Sequence, residues 1–438
     1  MSSVLDSSSA VGAASPYRKL QPRWCGLSKE QITEDQRHRI YRAMVEIVSH
    51  RGYQATTIKS VCALAGVSRQ TFYDLFAFGQ RNPKEICFLE AYDFVVDRAV
   101  TRISEAYRGE RDPDRRLCRA FEQFAIEAAG EPQAARFALI EAFGAGPVAL
   151  QRMGEGRAIF EGLIEASVNN RSGGATLSPR IAKGIAGGVE RIARVYLLEG
   201  RIDRLSATAD ELSAWVSSYR PWSRPAPALT ARAWRARPPA VRGNDEGLRI
   251  LRAAATIAAS EGYSALSAPR ISRVAEVSEE TFASMYDGSR AVEKCFLTAF
   301  DLLGVEALVC AAKAARHAAG WPQGVCDGIA ALLDHIAANP AVGQVVFLEI
   351  FAVGPAAVEP RSKLLRRFAD LFIRRIPEEQ RPSDLLAEAI VGAVWAVIHD
   401  YVTRGQVHRL RELTEEASYL ALTPIIGSEP AIEAILAD

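Results

Sequence analysis

Paired cysteines, metal-spaced histidines and a glycine-rich phosphate loop are all missing from this 438-residue chain. The seven cysteines (25, 62, 87, 118, 295, 310 and 326) are odd in number and never form C-x-x-C. That excludes a disulfide framework and a cysteine-built zinc site, and it fits a reducing cytosol. The six histidines fall at no ligand spacing, so no metal and no cofactor are expected. With no nucleophile–base arrangement either, an enzyme is the least favoured class and no catalytic residue is assigned. No run of eighteen apolar residues exists and the N-terminus lacks a charged-then-apolar layout; the expectation is a soluble cytoplasmic protein with no membrane partner. Net charge is only +1, so a nucleic-acid partner must be argued from local clusters.

Alternating β-type runs are scarce as well. Apolar residues instead recur at spacings of three and four almost throughout, which predicts an all-α protein, and the length suits two or more domains. Residues 1–16 are Ser/Ala-rich and read as disordered. A basic arm follows, carrying Arg18, Lys19, Arg23 and Lys29, and completes an N-terminal segment of 1–34. The spacing predicts a first helix from about Asp35 to Arg51, with Gly52 as its stop. Residues 217–244 are dense in proline and arginine without one acidic residue, and read as a linker.

The chain repeats itself across that linker. "RGYQATTIKSVCALAGVSRQTFYDLF" (51–76) returns as "EGYSALSAPRISRVAEVSEETFASMY" (261–286) with eight identities. "ICFLEAYD" (86–93) answers "KCFLTAFD" (294–301), and "EAFGAGP" (141–147) answers "EIFAVGP" (349–355). "AKGIAGGVERIARVYLLEGRIDRL" (182–205) answers "AEAIVGAVWAVIHDYVTRGQVHRL" (387–410). Two copies at this spacing mean duplication of a whole domain. The expected segments are a head at 35–82, a helical regulatory domain at 83–216, a second head at 245–289 and a second helical domain at 290–438.

The first copy carries a helix-turn-helix pattern. Thr56 and Thr57 read as N-cap residues of the short helix "IKSVCALA", Gly66 permits a tight turn, and Ser68 caps "RQTFYDLF". In that geometry the first turn of the second helix faces base edges. Here it offers Arg69, which can grip guanine, and Gln70, which can grip adenine. Thr57, Ser68, Thr71 and Tyr73 add hydroxyls for phosphates, and Lys84 begins the following helix.

Residues 35–92, centred on this motif, resemble the DNA-binding region of the TetR/AcrR family of bacterial transcriptional regulators. "PRWCGLSKEQI" is similar to an N-terminal extension of some members. The resemblance implies a three-helix head, a connecting fourth helix and an all-helical ligand and dimerisation domain, here as two tandem units. It also implies DNA contacts at Thr57, Ser68, Arg69, Gln70, Thr71, Tyr73 and Lys84. The chain departs from the family pattern at Asp74 and Leu75, and inserts "GQRNP" before Lys84.

The second copy reverses the charge. Residues 34–76 hold six basic and four acidic residues, whereas 244–286 hold four and six. Arg69 and Gln70 become Glu279 and Glu280, Tyr73 becomes Ala283 and Gly66 becomes Glu276, while Tyr263, Ala275, Val277, Phe282, Met285 and Tyr286 are expected to keep the core. Carboxylates facing phosphates oppose binding, so the second head is expected to keep its fold and to have lost DNA reading. Among the long apolar helices, Phe124, Phe137, Phe143, Phe351, Trp395 and His399 are candidate liners of a pocket for a small apolar effector. The small-residue helices near "GIAGGVERIARVYLL" and "AIVGAVWAVIHDYV" are candidates for a dimer-type contact, either a pseudo-dimer between the halves or a homodimer. Cys87 and Cys295 occupy equivalent apolar positions and read as packing. The function expected is a regulator binding double-stranded operator DNA, as a repressor relieved by effector. The alternative is a ligand-binding or interaction protein with two structural heads.

Overall fold

The computed structural model describes residues 28–170, 176–221 and 245–437. The basic residues Arg18, Lys19 and Arg23 and most of the Pro/Arg-rich linker lie outside this range. Every regular element among the described residues is helical. Helix α1 (Lys29–Ala55) starts earlier than Asp35 because Ser28 and Gln31 close a capping box ahead of it. Its regular part stops at Gly52 (φ 77°), where the spacing placed the stop. Then follow α2 (Ile58–Ala65), α3 (Arg69–Phe76) and the long α4 (Pro83–Gly109). Helices α5 (Arg116–Gly130), α6 (Pro132–Leu139), α7 (Pro147–Asn169), α8 (Pro179–Leu198) and α9 (Ala209–Ser218) complete the first half.

The second half presents the same order. Helices α10 (Glu246–Glu261), α11 (Ala268–Ala275) and α12 (Glu279–Met285) build its head. Helix α13 (Ala291–Arg316) leads to α14 (Trp321–Ala338), α15 (Pro340–Phe347), α16 (Val358–Ile373), α17 (Asp384–Thr403), α18 (Thr414–Ile426) and α19 (Ser428–Leu436). The equivalent thiols Cys87 and Cys295 are fully buried, and burial pushes Cys295 up to about 12, so packing accounts for both. By length and composition, Ala291–Arg316, Pro340–Ile373 and Asp384–Thr403 are apolar enough to cross a membrane, which the search for an unbroken apolar run missed. In this fold about half of each of these stretches packs inside the bundle. Ala389, Ile390, Ala393, Val397 and Ile398 of α17, for instance, are buried on several sides.

The halves meet where α8 crosses α17, the two helices singled out for their small residues. A Cβ on Gly187 would stand 2.1 Å from the Ala396 Cβ, and one on Gly392 would stand 2.5 Å from the Arg191 Cβ, so only glycine allows this approach. Polar groups lock the crossing. Lys183 pairs with Asp400 at 2.7 Å and Arg191 with Glu388 at 2.8 Å, while beside the crossing Arg180 of α8 pairs with Glu416 of α18 at 2.9 Å. The buried Tyr219 hydroxyl donates to the Leu420 carbonyl at 2.8 Å, and the rings of Phe143 and Phe351, equivalent positions of the repeat, stack 4.4 Å apart.

Candidate nucleic-acid interface

The first head is held from behind. Phe72, Leu75 and Phe76 of α3 are buried against α1, together with Ile40, Met44 and Val61. The buried Arg39 guanidinium donates to the Ala65 carbonyl at 2.6 Å and to Asp35 at 2.9 Å, fastening α1 to the turn between α2 and α3. The Tyr41 hydroxyl donates to Glu90 at 2.6 Å and Arg37 pairs with the same carboxylate at 2.8 Å, which joins α1 to α4. Sequence reasoning missed Arg39. Its helical spacing beside Ile40 gave no sign that an arginine there is internal.

The turn itself obeys its residues. Gly66 adopts φ 64°, ψ 38°, the left-handed conformation that closes α2. Thr57 caps α2, its side chain accepting from the Ser60 amide at 3.1 Å; Thr56 is instead buried, and its hydroxyl donates back to the Gly52 carbonyl at 2.8 Å. Ser68 accepts from the Thr71 amide at 2.9 Å, and the two hydroxyls lie 2.8 Å apart. Thr57, Ser68 and Thr71 therefore shape the helix starts, where the first amides have no intrahelical partner and point at any approaching anion.

What remains on the outer face of α3 is Arg69, Gln70, Tyr73 and Asp74, all exposed, with Tyr73 at 43%. The Gln70 amide donates to Asp74 at 2.7 Å, which orients it along the helix. Lys84 is placed differently. Its ammonium donates to the carbonyls of Tyr53 and Thr56, both at 2.9 Å, and lies 4.1 Å from the Tyr53 ring centre. Burial lowers its pKa. The position caps the end of α1 rather than presenting a free cation.

The second head repeats this frame with another surface. Arg249, the equivalent of Arg39, donates to the Glu276 carbonyl at 3.3 Å, and Ser278 accepts from the Thr281 amide at 3.0 Å. Glu276 takes φ 55°, the sole positive φ outside glycine among the described residues, so the turn keeps its shape against the preference of its side chain. Glu279 and Glu280 are exposed on the first turn of α12. Hydrogen bonds from its own backbone and from Ser278 hold the Glu280 carboxyl below its ordinary value, so it is charged at neutral pH. Carboxylates there suit the helix dipole and stabilise α12, while presenting phosphates with like charge. One expected core position is corrected. Met285 is 46% exposed where its equivalent Leu75 is 8%, because α12 ends there and Tyr286 turns extended.

Two apolar cavities lie in the helical domains. The first, of about 140 Å³, is lined by Val96, Ile103, Phe124, Phe160 and Val189, with the Arg98–Glu131 ion pair at its edge. The second, of about 120 Å³, is lined by Val346, Phe347, Leu364, Trp395 and Ile398, with Phe347 and Trp395 stacked at 4.0 Å. Phe124 and Trp395 thus line cavities. Phe137 lines neither: it is fully buried against Phe88, with ring centres 4.8 Å apart. Phe143, Phe351 and His399 gather instead at the seam between the halves, around a separate small cavity.

Residues 40–77 match the family model described as "Bacterial regulatory proteins, tetR family". The first head is a tetR-family head. The chain thus carries the DNA-binding helix-turn-helix of TetR-family transcription regulators, and the match ends one residue past α3. No curated protein matches the chain. Among solved structures, it is similar to the fatty acid degradation regulator FadR from Bacillus halodurans, at 16% identity and TM-score 0.37, over 42% of this chain and 94% of that one. It is similar also to FadR from Bacillus subtilis in complex with stearoyl-CoA, at 18% identity and TM-score 0.36, over 41% and 97%. The tetR-family match covers α3 and its exposed Arg69, Gln70 and Tyr73, but none of the second head.

Proposed function

We propose that this chain is an operator-binding transcriptional regulator that reads DNA with its first head alone. The observation that carries the reading is the contrast between two helix starts on one frame. Arg69, Gln70 and Tyr73 project from α3, and Glu279, Glu280 and Ala283 from α12. Arg69 and Gln70 suit base edges in the major groove, Tyr73 suits the backbone, and the capped turns of Thr57, Ser68 and Thr71 offer amides and hydroxyls to phosphates. Lys84 serves this surface indirectly, by fixing the end of α1.

The two units are a duplicated pair whose halves form a pseudo-dimer through α8 and α17, with one competent head per chain. A palindromic operator then requires two chains. The effector is a small apolar molecule in one or both helical-domain cavities, whose volumes are on the order of the ~150 Å³ site that holds benzene in an engineered core. Its binding shifts the head geometry and relieves repression. The protein acts in the cytoplasm, at the nucleoid. A footprint of the purified chain on its own upstream region, with the mass of the complex measured, tests this. Protection of two half-sites by two chains supports it; absence of any protected site, or a full palindrome covered by one chain, counts against it.

A further inference from the structure

The seam between the halves encloses more positive charge than the protein itself neutralises. A small cavity, about 20 Å³, is walled by Arg157, Glu190, Arg191 and Arg194 of the first half and by Arg361 and His399 of the second. Arg157 grips Glu190 with two hydrogen bonds of 2.6 and 2.7 Å, and Arg194 shares that carboxylate at 2.5 Å. Arg191 pairs with Glu388. Four guanidinium groups therefore face two carboxylates.

Arg361 is the one left over. It has no ion pair or hydrogen bond among the described residues, and its Nε is closed off from solvent. Its guanidinium lies 4.5 Å from the Phe351 ring centre and 5.0 Å from that of Phe143. The two rings are stacked on each other and lie on one side of the guanidinium, and its Nε is left without an acceptor. The His399 Nε2 is likewise buried without a partner. Arg361 is half-buried and stays charged, and a partly desolvated cation without a carboxylate partner favours an anion beside it.

We propose that this cavity binds a compact monovalent anion, either a halide ion or the carboxylate head of a small ligand, between Arg361, Arg194 and His399. The volume fits one such group: a water-sized occupant needs roughly 10–15 Å³. Among the described residues the site occurs once. Through the repeat, Arg361 corresponds to Met153, Arg157 to Leu365, Glu190 to Trp395, Arg191 to Ala396 and Arg194 to His399, so the pseudo-symmetric position has lost the cation set. An anion here bridges α8 of one half to α16 and α17 of the other. It stabilises the pseudo-dimer whether or not the first head reads DNA, so the inference and the functional proposal fail separately.

The test is thermal unfolding of the full chain at fixed ionic strength, exchanging sodium isethionate, whose anion is too bulky to enter, for chloride or acetate. Selective binding to the folded state raises Tm saturably. The expected result is a rise of a few degrees with at least one of the two anions, lost in Arg361→Met, whose Tm in isethionate is no lower than that of the parent. Response to chloride but not acetate identifies an inorganic ion, and response to acetate identifies a carboxylate head. Identical Tm in all three salts, or an Arg361→Met response equal to the parent's, overturns the proposal. Should Arg361→Met not fold, Arg361→Gln and chloride NMR line broadening on the parent chain decide the matter by the same criterion: broadening relieved in the variant supports the site, and none in the parent overturns it.

Discussion

Replacing Gly187 by alanine tests the packing of the halves with a single methyl group. Its Cβ would lie 2.1 Å from the Ala396 Cβ and 3.4 Å from the Gly392 carbonyl oxygen. Carbon atoms pack at about 3.5–4 Å, so α8 and α17 must separate by roughly 1.5 Å at the crossing. Neither neighbour is the free end of a flexible side chain that could swing aside. Overpacking of this kind costs about 1–3 kcal/mol, against which alanine gains about 1 kcal/mol in helix propensity, so the net loss is about 0–2 kcal/mol, toward the upper end for so close a contact. Separation would also stretch the Lys183–Asp400 and Arg191–Glu388 pairs. Gly154 and Gly162 on α7 provide the control: both are exposed, and a Cβ at either meets nothing within 4 Å. Gly154→Ala and Gly162→Ala should stabilise by about 0.5–1 kcal/mol. Urea unfolding followed by circular dichroism should thus rank Gly187→Ala below the parent and the α7 variants above it. A Gly187→Ala chain as stable as Gly154→Ala would refute the close crossing.

Other consequences are as specific. Glu276→Gly should stabilise the chain by about 1 kcal/mol in urea unfolding, because it removes the left-handed strain from the second turn; no gain would mean the turn is formed differently. Lys84→Met strips two carbonyls at the end of α1 of their donor and should lower stability by about 1–2 kcal/mol, whereas a neutral outcome would return Lys84 to the surface. His399 is held at about 3, first by burial and then by the charges of Arg157, Arg361 and Arg194, against 6.5 in the unfolded chain. Between those values the unfolded chain binds a proton that the folded chain refuses, so this stabilisation is complete above about pH 6.5 and is lost as pH falls toward 3. The Tm of the parent should fall more steeply over that window than that of His399→Gln; parallel curves would contradict the burial of His399.

The helical class and the turn between α2 and α3 were legible because each rests on local chemistry. Gly66 and Ser68 announce a turn and a cap by residue type, and Phe72, Leu75 and Phe76 announce a buried face by spacing. The crossing of α8 and α17 was legible for the same reason, since clustered small residues have few other uses. What could not be read were contacts made at long range. Arg39 reaches the Ala65 carbonyl, Lys84 turns inward to Tyr53 and Thr56, and Arg361 meets Phe143 across the seam. A charged residue has no periodicity that tells an internal role from a solvated one. Met285 failed for the opposite reason: its spacing matched a core slot, but the helix ended beneath it.

The central claim is that one head reads and its twin does not. Fluorescence anisotropy of the full chain on DNA from its own upstream region measures this directly, comparing Arg69→Ala and Tyr73→Ala with Glu279→Ala and Glu280→Ala at one salt concentration. The account predicts that Arg69→Ala weakens binding by about 1–3 kcal/mol and that Tyr73→Ala also weakens it, while the two glutamate variants match the parent. Equal losses from both heads, or none from the first, would contradict it.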